Sequence, residues 1–373
     1  MNRLFPTGVP VLGKDLAGRD KERKRIKQLL KSGQSVVLYG PRRIGKTSIA
    51  LTVLDELRLE GHFTGHADIF ESATLPILSQ RIVETTLANK KLAQTIQSLK
   101  SGLSTAISKI EIKQIVNEFE WILKFAEPNV STDELLSNAL DFPERFSKKY
   151  SSNMIMFIDE IGDIDKFNGG DFIKLMRSKL QLHKNVTYLF AGSHESVIEN
   201  IFIKRSGPFY RFAQLSAIDT IEKESFKSFI KQKFNKTGLI VEEPILYDLL
   251  EITSGHPYYT QLLCRELYFY ALSQEKAIDK GAVQYALEEA IRLEDLYFSK
   301  LWDELSKNSS QVSILQALVN NKSSLYHKDI KTKVNVTRTL HQLMKRGILK
   351  KSEKGLYEFT DPLFRKFIER KFS

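Results

Sequence analysis

The sequence predicts an α/β fold: a parallel sheet with helices on both faces, then an all-α region, then a small basic unit. Three observations predict it. Short β-branched and apolar runs alternate with stretches of helical periodicity up to about Ser216. From Ile218 to Leu305 the pattern turns almost wholly helical. After Lys307 three short helical patterns precede a hairpin-like stretch from Ile348 to Phe359. The 373 residues exceed one ordinary domain. The expected division is 1–216, 217–306 and 307–373.

The elements follow in order. Asp20 to Lys31 reads as a basic helix ending at Gly33-Gln34, and Ser35 to Tyr39 as a buried strand. Thr47 to Leu59 carries Ile49, Val53, Leu54 and Leu57 at helical spacing. His62 to Phe70 reads as a second strand. Leu75 to Tyr150 is helical, with Pro128 and Pro143 as expected breaks. Met154 to Ile158 is a third strand, Asp171 to Leu182 a helix, Val186 to Ala191 a fourth strand and Arg211 to Leu215 a fifth. The later region is expected to hold four helical segments, broken at Gly238, Pro244, Gly255–Pro257 and Gly281.

Composition excludes several classes. Apolar residues at 42% and charged residues at 27% describe a core-forming chain. The one cysteine, Cys264, excludes an intramolecular disulfide framework and a multi-cysteine zinc site. Apolar runs are short, so no membrane span is expected. Met1 to Pro6 lacks a signal-peptide core, which makes a soluble cytoplasmic protein the expectation. The net charge of +11 is segregated. Residues 1–50 hold 12 basic and 3 acidic side chains, and residues 307–373 hold 15 and 5. The stretch between them is net acidic, so separate anionic partners are expected at the two ends.

Gly40-Pro41-Arg42-Arg43-Ile44-Gly45-Lys46-Thr47 matches G-x-x-x-x-G-K-[ST] in full, between a strand and a helix. Gly40 and Gly45 permit backbone angles and an approach that a side chain would block. The loop N–H groups then converge on a phosphate at the helix N-terminus. Lys46 is expected on the β- and γ-phosphates of ATP, with the Thr47 hydroxyl on Mg2+. Ser48 follows in the same turn. Met154 to Ile158 runs into Asp159 and Glu160, acids at the rim where open α/β sheets bind ligands. Asp159 is expected to hold magnesium, mostly through water. Glu160 is expected to orient or deprotonate the attacking water. Asp163 and Asp165 read as solvated loop.

These residues resemble a known family. Arg42-Arg43-Ile44-Gly45-Lys46-Thr47-Ser48 resembles the R-R-x-G-K-T-S loop of the archaeal-type ATPases, within the AAA+ and STAND-like P-loop NTPases related to origin-recognition ATPases. Ala17-Gly18-Arg19-Asp20-Lys21-Glu22 resembles that family's G-R-[ED]-x-E box, which implies that Gly18 and Arg19 lie near the adenine. Phe157-Ile158-Asp159-Glu160 matches its Walker B strand. Phe190-Ala191-Gly192-Ser193 resembles its sensor-1 strand, which implies that Ser193 reads the γ-phosphate. Ser206-Gly207-Pro208-Phe209-Tyr210-Arg211 is similar to S-P-L-[YF]-x-R, but Gly207 stands as an insertion and the residue before the arginine is missing. Ser254-Gly255-His256-Pro257-Tyr258 resembles the G-x-P motif of a helical lid, which places Pro257 by the nucleotide. Asp361-Pro362-Leu363-Phe364-Arg365 resembles a D-P-L-F segment after a C-terminal winged helix.

The resemblance implies an ASCE/AAA+-type sheet and slow ATP hydrolysis that moves the lid and so repositions the C-terminal unit. Relatives often complete the site with an arginine from a neighbouring copy. A homo-oligomer with Arg205 or Arg211 in that role is one arrangement. On residue type alone, Ser193 also reads as a turn cap, Arg211 as a surface ion pair, Pro257 as a helix N1 proline and His256 as a cap-region residue.

Three helices and a hairpin after Lys307 have the layout of a winged helix-turn-helix. Val336, Leu340, Leu343 and Met344 form one apolar face of a helix capped by Asn335. Thr337, Arg338, His341, Gln342 and Lys345 fall on the other face. In helix-turn-helix geometry that face enters the major groove of double-stranded DNA, with Lys350, Lys351 and Lys354 near the flanking backbone. The basic helix Lys328 to Lys333 precedes it. The alternative is a nucleotide-gated scaffold whose winged helix binds a protein partner.

Overall fold

Five short runs pair into one all-parallel sheet. They are Val36–Tyr39 (β1), Phe63–Asp68 (β2), Met154–Asp159 (β3), Val186–Gly192 (β4) and Gln214–Ala217 (β5), in the order β2-β3-β4-β1-β5. β3 is buried along its whole length, which is why it reads as a continuous apolar run. The computed structural model describes residues 4–90, 131–167, 169–193, 195–274, 278–320, 335–351 and 356–372. The chain forms two compact units. One joins Asp20–Gly40 to Lys46–Ala217, and the other joins Met1–Arg19, Pro41–Gly45 and Ile218–Ser373.

In the sheet unit, helices Asp20–Lys31 (α1) and Lys46–Leu59 (α2) pack on each other and on the strands. Leu75–Leu87 (α3), Thr132–Lys149 (α4) and Gly169–Leu180 (α5) also belong to it. Met154, Met156 and Ile158 of β3 share a buried cluster with Ile82 of α3, Phe142 of α4 and Phe172 of α5. Ile155 and Phe157, equally buried, point to the opposite face. Because all strands run one way, Gly40, Asp159 and Ser193 come to the same rim of the sheet.

Three expectations need correction. Pro143 does not break a helix, since it lies inside α4. An interior proline costs about 3 kcal/mol. Phe142 and Phe146 on either side are fully buried, and Phe146 meets Phe63 at 5.4 Å. Burying each such side chain stabilises by roughly 1.5–3 kcal/mol, so packing outweighs the lost hydrogen bond. The fifth strand begins at Gln214 and not at Arg211, because Arg211 takes a left-handed φ of 58° that ends the preceding turn. The helix expected over 171–182 starts at Gly169 and stops at Leu180, where Gln181 and Leu182 turn. Pro128 and most of the expected 75–150 helical stretch, residues 91–130, lie outside the described residues.

The second unit holds Lys223–Asn235 (α6), Glu243–Thr253 (α7), Pro257–Gln274 (α8), Lys280–Ser306 (α9), Ser309–Val319 (α10), Val336–Lys345 (α11) and Pro362–Phe372 (α12). Leu349–Lys351 (β6) and Tyr357–Phe359 (β7) pair antiparallel. The helix expected at 328–333 and the turn at Lys354-Gly355 lie outside the described residues. One buried cluster runs from Phe226 and Ile230 through Leu263 and Phe298 to Leu340 and Phe364. Phe298 meets Phe364 at 5.5 Å and Phe367 at 5.6 Å. The final helix was not anticipated. Its start is written in the chain: Asp361 accepts from the Phe364 N–H at 2.8 Å and Pro362 occupies the first turn. The Tyr259 hydroxyl also donates to Asp361, fastening α8 to α12. Among the described residues no helix is long and apolar enough to cross a membrane.

Gly207, the residue that interrupts the S-P-L-like segment, has a packing reason. A Cβ there would lie 2.5 Å from the Asn200 carbonyl oxygen and 2.6 Å from that of Ile201. Backbone cannot yield as a side-chain tip would. Gly207→Ala is therefore expected to destabilise the chain by about 1–3 kcal/mol in urea unfolding. An unchanged midpoint would show that the turn has room.

Candidate functional site

At the rim of the sheet unit the Lys46 side chain is buried and its ammonium donates to the Gly40 carbonyl at 3.0 Å. It thus hangs across the mouth of the loop that its own backbone closes. The Thr47 hydroxyl donates to Asp159 Oδ2 at 2.7 Å, tying the start of α2 to the end of β3. Asp159 Oδ1 accepts from the Glu160 N–H at 2.9 Å. Glu160 takes a left-handed φ of 47°, a conformation that costs a non-glycine residue free energy and concentrates at functional sites. From the end of β4, the Ser193 hydroxyl donates to Glu160 Oε1 at 3.0 Å. Ser48 is buried behind the loop. Thr47, Asp159, Glu160 and Ser193 thus form one hydrogen-bonded group, with Lys46 joined to it as the chain neighbour of Thr47.

Asp159 is only 2% exposed, and burial pushes its carboxyl up to about 6 against the hydrogen bonds from Thr47 and Glu160. Asp68, its lateral neighbour on β2, pushes the same way. A cation beside the carboxylate would favour its ionised form. Thr47 and Asp159 offer hard oxygen donors, the kind magnesium takes. Among the described residues no three His, Cys, Asp or Glu side chains cluster as a metal site of their own. The donor set fits an ion that relies on water and substrate oxygens for the rest of its shell.

The second unit holds the Gly18-Arg19 box and the G-x-P segment. Pro41–Gly45 belongs to it, with Ile44 buried and Arg42 and Arg43 exposed. Gly45 has φ 98° and Arg43 has φ 61°. Buried Arg19 donates to the carbonyls of Ile44 and Asp219. Gly18 and Gly255 both close on Ile221. A Cβ on Gly18 would meet the Ile221 side chain at 2.5 Å, and one on Gly255 would meet the Ile221 carbonyl at 2.4 Å. The Ile221 N–H donates to the Gly255 carbonyl at 2.9 Å. Pro257 is the first residue of α8. The ring of His256, 3% exposed, donates a hydrogen bond to the Arg42 backbone. The box at Gly18-Arg19, the loop and the G-x-P segment are therefore packed together through the Arg19 guanidinium and Ile221.

Sequence reasoning missed one contact of the loop. Arg43 donates to both oxygens of Glu294 on α9, at 3.2 and 3.0 Å, and its guanidinium lies 4.3 Å from the centre of the Tyr258 ring. The Tyr258 hydroxyl also donates to Glu294. Nothing local announces Glu294, which stands 251 residues away on an otherwise ordinary amphipathic helix. Arg205 and Arg211 are exposed. Arg211 lies over the Tyr210 ring at 5.3 Å and makes no hydrogen bond or ion pair with Lys46, Asp159 or Glu160. On α11, Val336, Leu340 and Leu343 are buried, while Thr337, Arg338, His341 and Lys345 are exposed as expected. Lys350 instead pairs with Asp219 at 2.9 Å.

The model of an ATPase domain family found predominantly in Archaea matches residues 16–263. The chain belongs to that family. Among curated proteins none matches it. Among solved structures, this archaeal-type ATPase domain is similar to a Walker-type ATPase of Pyrococcus abyssi. The two are 17% identical, over 97% of this chain and 99% of that one, with a TM-score of 0.70. It is also similar to the Aeropyrum pernix ORC2 protein, solved as ADPNP–ADP complexes, at 12% identity over 100% and 98% of the two chains (TM-score 0.56). The Aeropyrum pernix ORC1 protein in complex with DNA matches at 15% identity over 95% and 93% (TM-score 0.50). At such identities the similarity is one of fold, and that fold is the P-loop sheet.

His256 yields a pH signature. Burial pushes its imidazole down to about 3, so the ring is neutral in the fold. Below its ordinary value of 6.5 the unfolded chain takes up a proton that the folded chain refuses, so stability is lost as pH falls through that window. His256→Gln keeps an N–H donor and removes the titration. Between pH 7 and pH 5 the native chain should lose about 2 kcal/mol more than the variant in urea unfolding. Parallel stability curves would show that the ring is not held neutral.

Proposed function

We propose that this chain is a magnesium-dependent ATPase whose nucleotide state acts as a switch on its C-terminal unit. Residues 1–216 serve as the core, 217–306 as a helical lid and 307–373 as a winged helix on double-stranded DNA. The observation that carries the catalytic part is the connected group from Lys46 to Ser193, ordered by hydrogen bonds at 2.7–3.0 Å. Gly40 to Thr47 cradle the phosphates with backbone N–H groups, and Lys46 exchanges the Gly40 carbonyl for phosphate oxygens. Thr47 and Asp159 would hold magnesium, which supplies charge neutralisation on those oxygens. Glu160 takes the proton of the attacking water, and the Ser193 hydroxyl fixes the carboxylate oxygen that is turned away from that proton. Gly18, Arg19 and Pro257 are assigned to the adenosine on the strength of the family's motifs.

The Arg43–Glu294 pair supports the switch. A change at the loop is transmitted to α9, and α9 meets α12 through Phe298. The exposed row Thr337, Arg338, His341 and Lys345 and the basic C-terminal segment support DNA as the anionic partner. The fold-level similarity to a protein solved with DNA points the same way. Arg205 or Arg211, both exposed, would complete the site of a neighbouring copy in a homo-oligomer.

Lys46→Ala is expected to weaken ATP binding by at least tenfold in a fluorescent-nucleotide titration. Glu160→Gln should bind ATP normally and lose turnover by about 100-fold or more. Native affinity in the first variant or native turnover in the second would contradict the assignment. In a salt titration, duplex DNA affinity should fall steeply with salt, and Arg338→Ala with Lys345→Ala should reduce the slope by about 1–2. No DNA affinity at low salt would favour a protein partner for the winged helix.

A further inference from the structure

β2 carries a histidine beside the catalytic group that no motif includes. His66 lies opposite Phe157 in the β2–β3 ladder, and its ring stacks on that phenyl with centroids 4.8 Å apart and planes 14° off parallel. The stacking fixes the ring's direction. Nε2 ends 3.9 Å from Asp159 Oδ2, the oxygen that accepts the Thr47 hydroxyl. It is buried and has no hydrogen-bond partner among the described residues. A buried polar nitrogen left unpaired is costly, and a movement of about 1 Å would bring this one within hydrogen-bond reach of the carboxylate.

We propose that His66 is a positioning residue of the metal site. Its Nε2–H closes on Asp159 Oδ2 and fixes the carboxylate that holds magnesium. This rests on the nucleotide reading above. Oδ1 is held by the Glu160 N–H and Oδ2 by the Thr47 hydroxyl, a group that also has to meet the metal, and a donor from β2 gives Oδ2 a second, independent hold. Outer groups of this kind commonly change metal affinity or activity by about 10–100-fold. The ring acts as a neutral donor: burial pushes its proton affinity down, although Asp68 and Glu71 push it up. Arg81, the cation that acts on it, pushes the same way as burial. The alternation of β2 explains the placement, since His66 and Asp68 share a face and Asp68 lies level with Asp159.

The test uses the full chain and a fluorescent ATP analogue, titrated with magnesium and, separately, in EDTA. His66→Phe and His66→Leu each remove the nitrogen, the first keeping an aromatic ring on Phe157. His66→Gln returns an N–H near the same place. Variants are compared at matched thermal midpoints. The half-saturating magnesium concentration for nucleotide binding should rise about tenfold in His66→Phe and His66→Leu and recover in His66→Gln. Affinity in EDTA should be unchanged in all three. A native magnesium requirement in folded His66→Phe or His66→Leu would overturn the proposal, as would equal impairment in His66→Gln. A native chain that binds no nucleotide, or binds it without regard to magnesium, would instead overturn the nucleotide reading itself.

Discussion

The hydrogen bond from Thr47 to Asp159 is the contact on which the rest of the sheet's rim depends. It joins two points 112 residues apart, the first turn of α2 and the last residue of β3. Both ends are fixed by burial: Ile49 and Val53 anchor the helix, and β3 is enclosed on both faces. A charge-assisted bond in such a setting contributes about 1.5–3 kcal/mol, and without Thr47 the buried carboxylate would keep only the Glu160 N–H. The chain leaves β3 through Glu160 in a left-handed conformation, and the Ser193 hydroxyl donates to that side chain. The order β3-β4-β1 in the sheet brings these three strand ends side by side.

The loop has a second set of obligations. Pro41–Gly45 belongs with the helical unit, where Arg19 holds the Ile44 carbonyl and Arg43 holds Glu294. By residue type alone Arg43 could meet phosphate, a neighbouring subunit or a partner. Here it is committed to α9, with Tyr258 beneath its guanidinium. That commitment gives the long helix a direct stake in the loop's conformation. It also gives the basic residues of the first 50 positions distinct tasks, some structural and some chemical.

Much of this was legible in the sequence because it depends on local chemistry. The phosphate loop is eight consecutive residues, and the acids follow directly on an apolar run. The apolar face of α11 and its exposed row follow from helical periodicity, and Val336, Leu340 and Leu343 are buried as that periodicity requires. What could not be read depends on contacts distant in sequence. Pro143 stays inside a helix because Phe142 and Phe146 are buried on either side of it. Arg211 leaves β5 because a turn closes at that residue. Gly207 interrupts a motif because two carbonyls lie where its Cβ would be. His66 and Glu294 gain their places only when strand pairing and helix packing bring them to Asp159 and Arg43. The helix at Asp361-Pro362 is a different case: its cap and its first-turn proline were present in the sequence, and only the motif's resemblance obscured them.

The most direct test of the central claim is a crystal structure with a non-hydrolysable ATP analogue and Mn2+ in place of Mg2+, located by its anomalous signal. The β- and γ-phosphates are expected against the 40–47 backbone and Lys46, with the ion on the Thr47 oxygen and Asp159 close behind it. Nucleotide bound elsewhere, or an ion that does not touch Thr47, would contradict the claim.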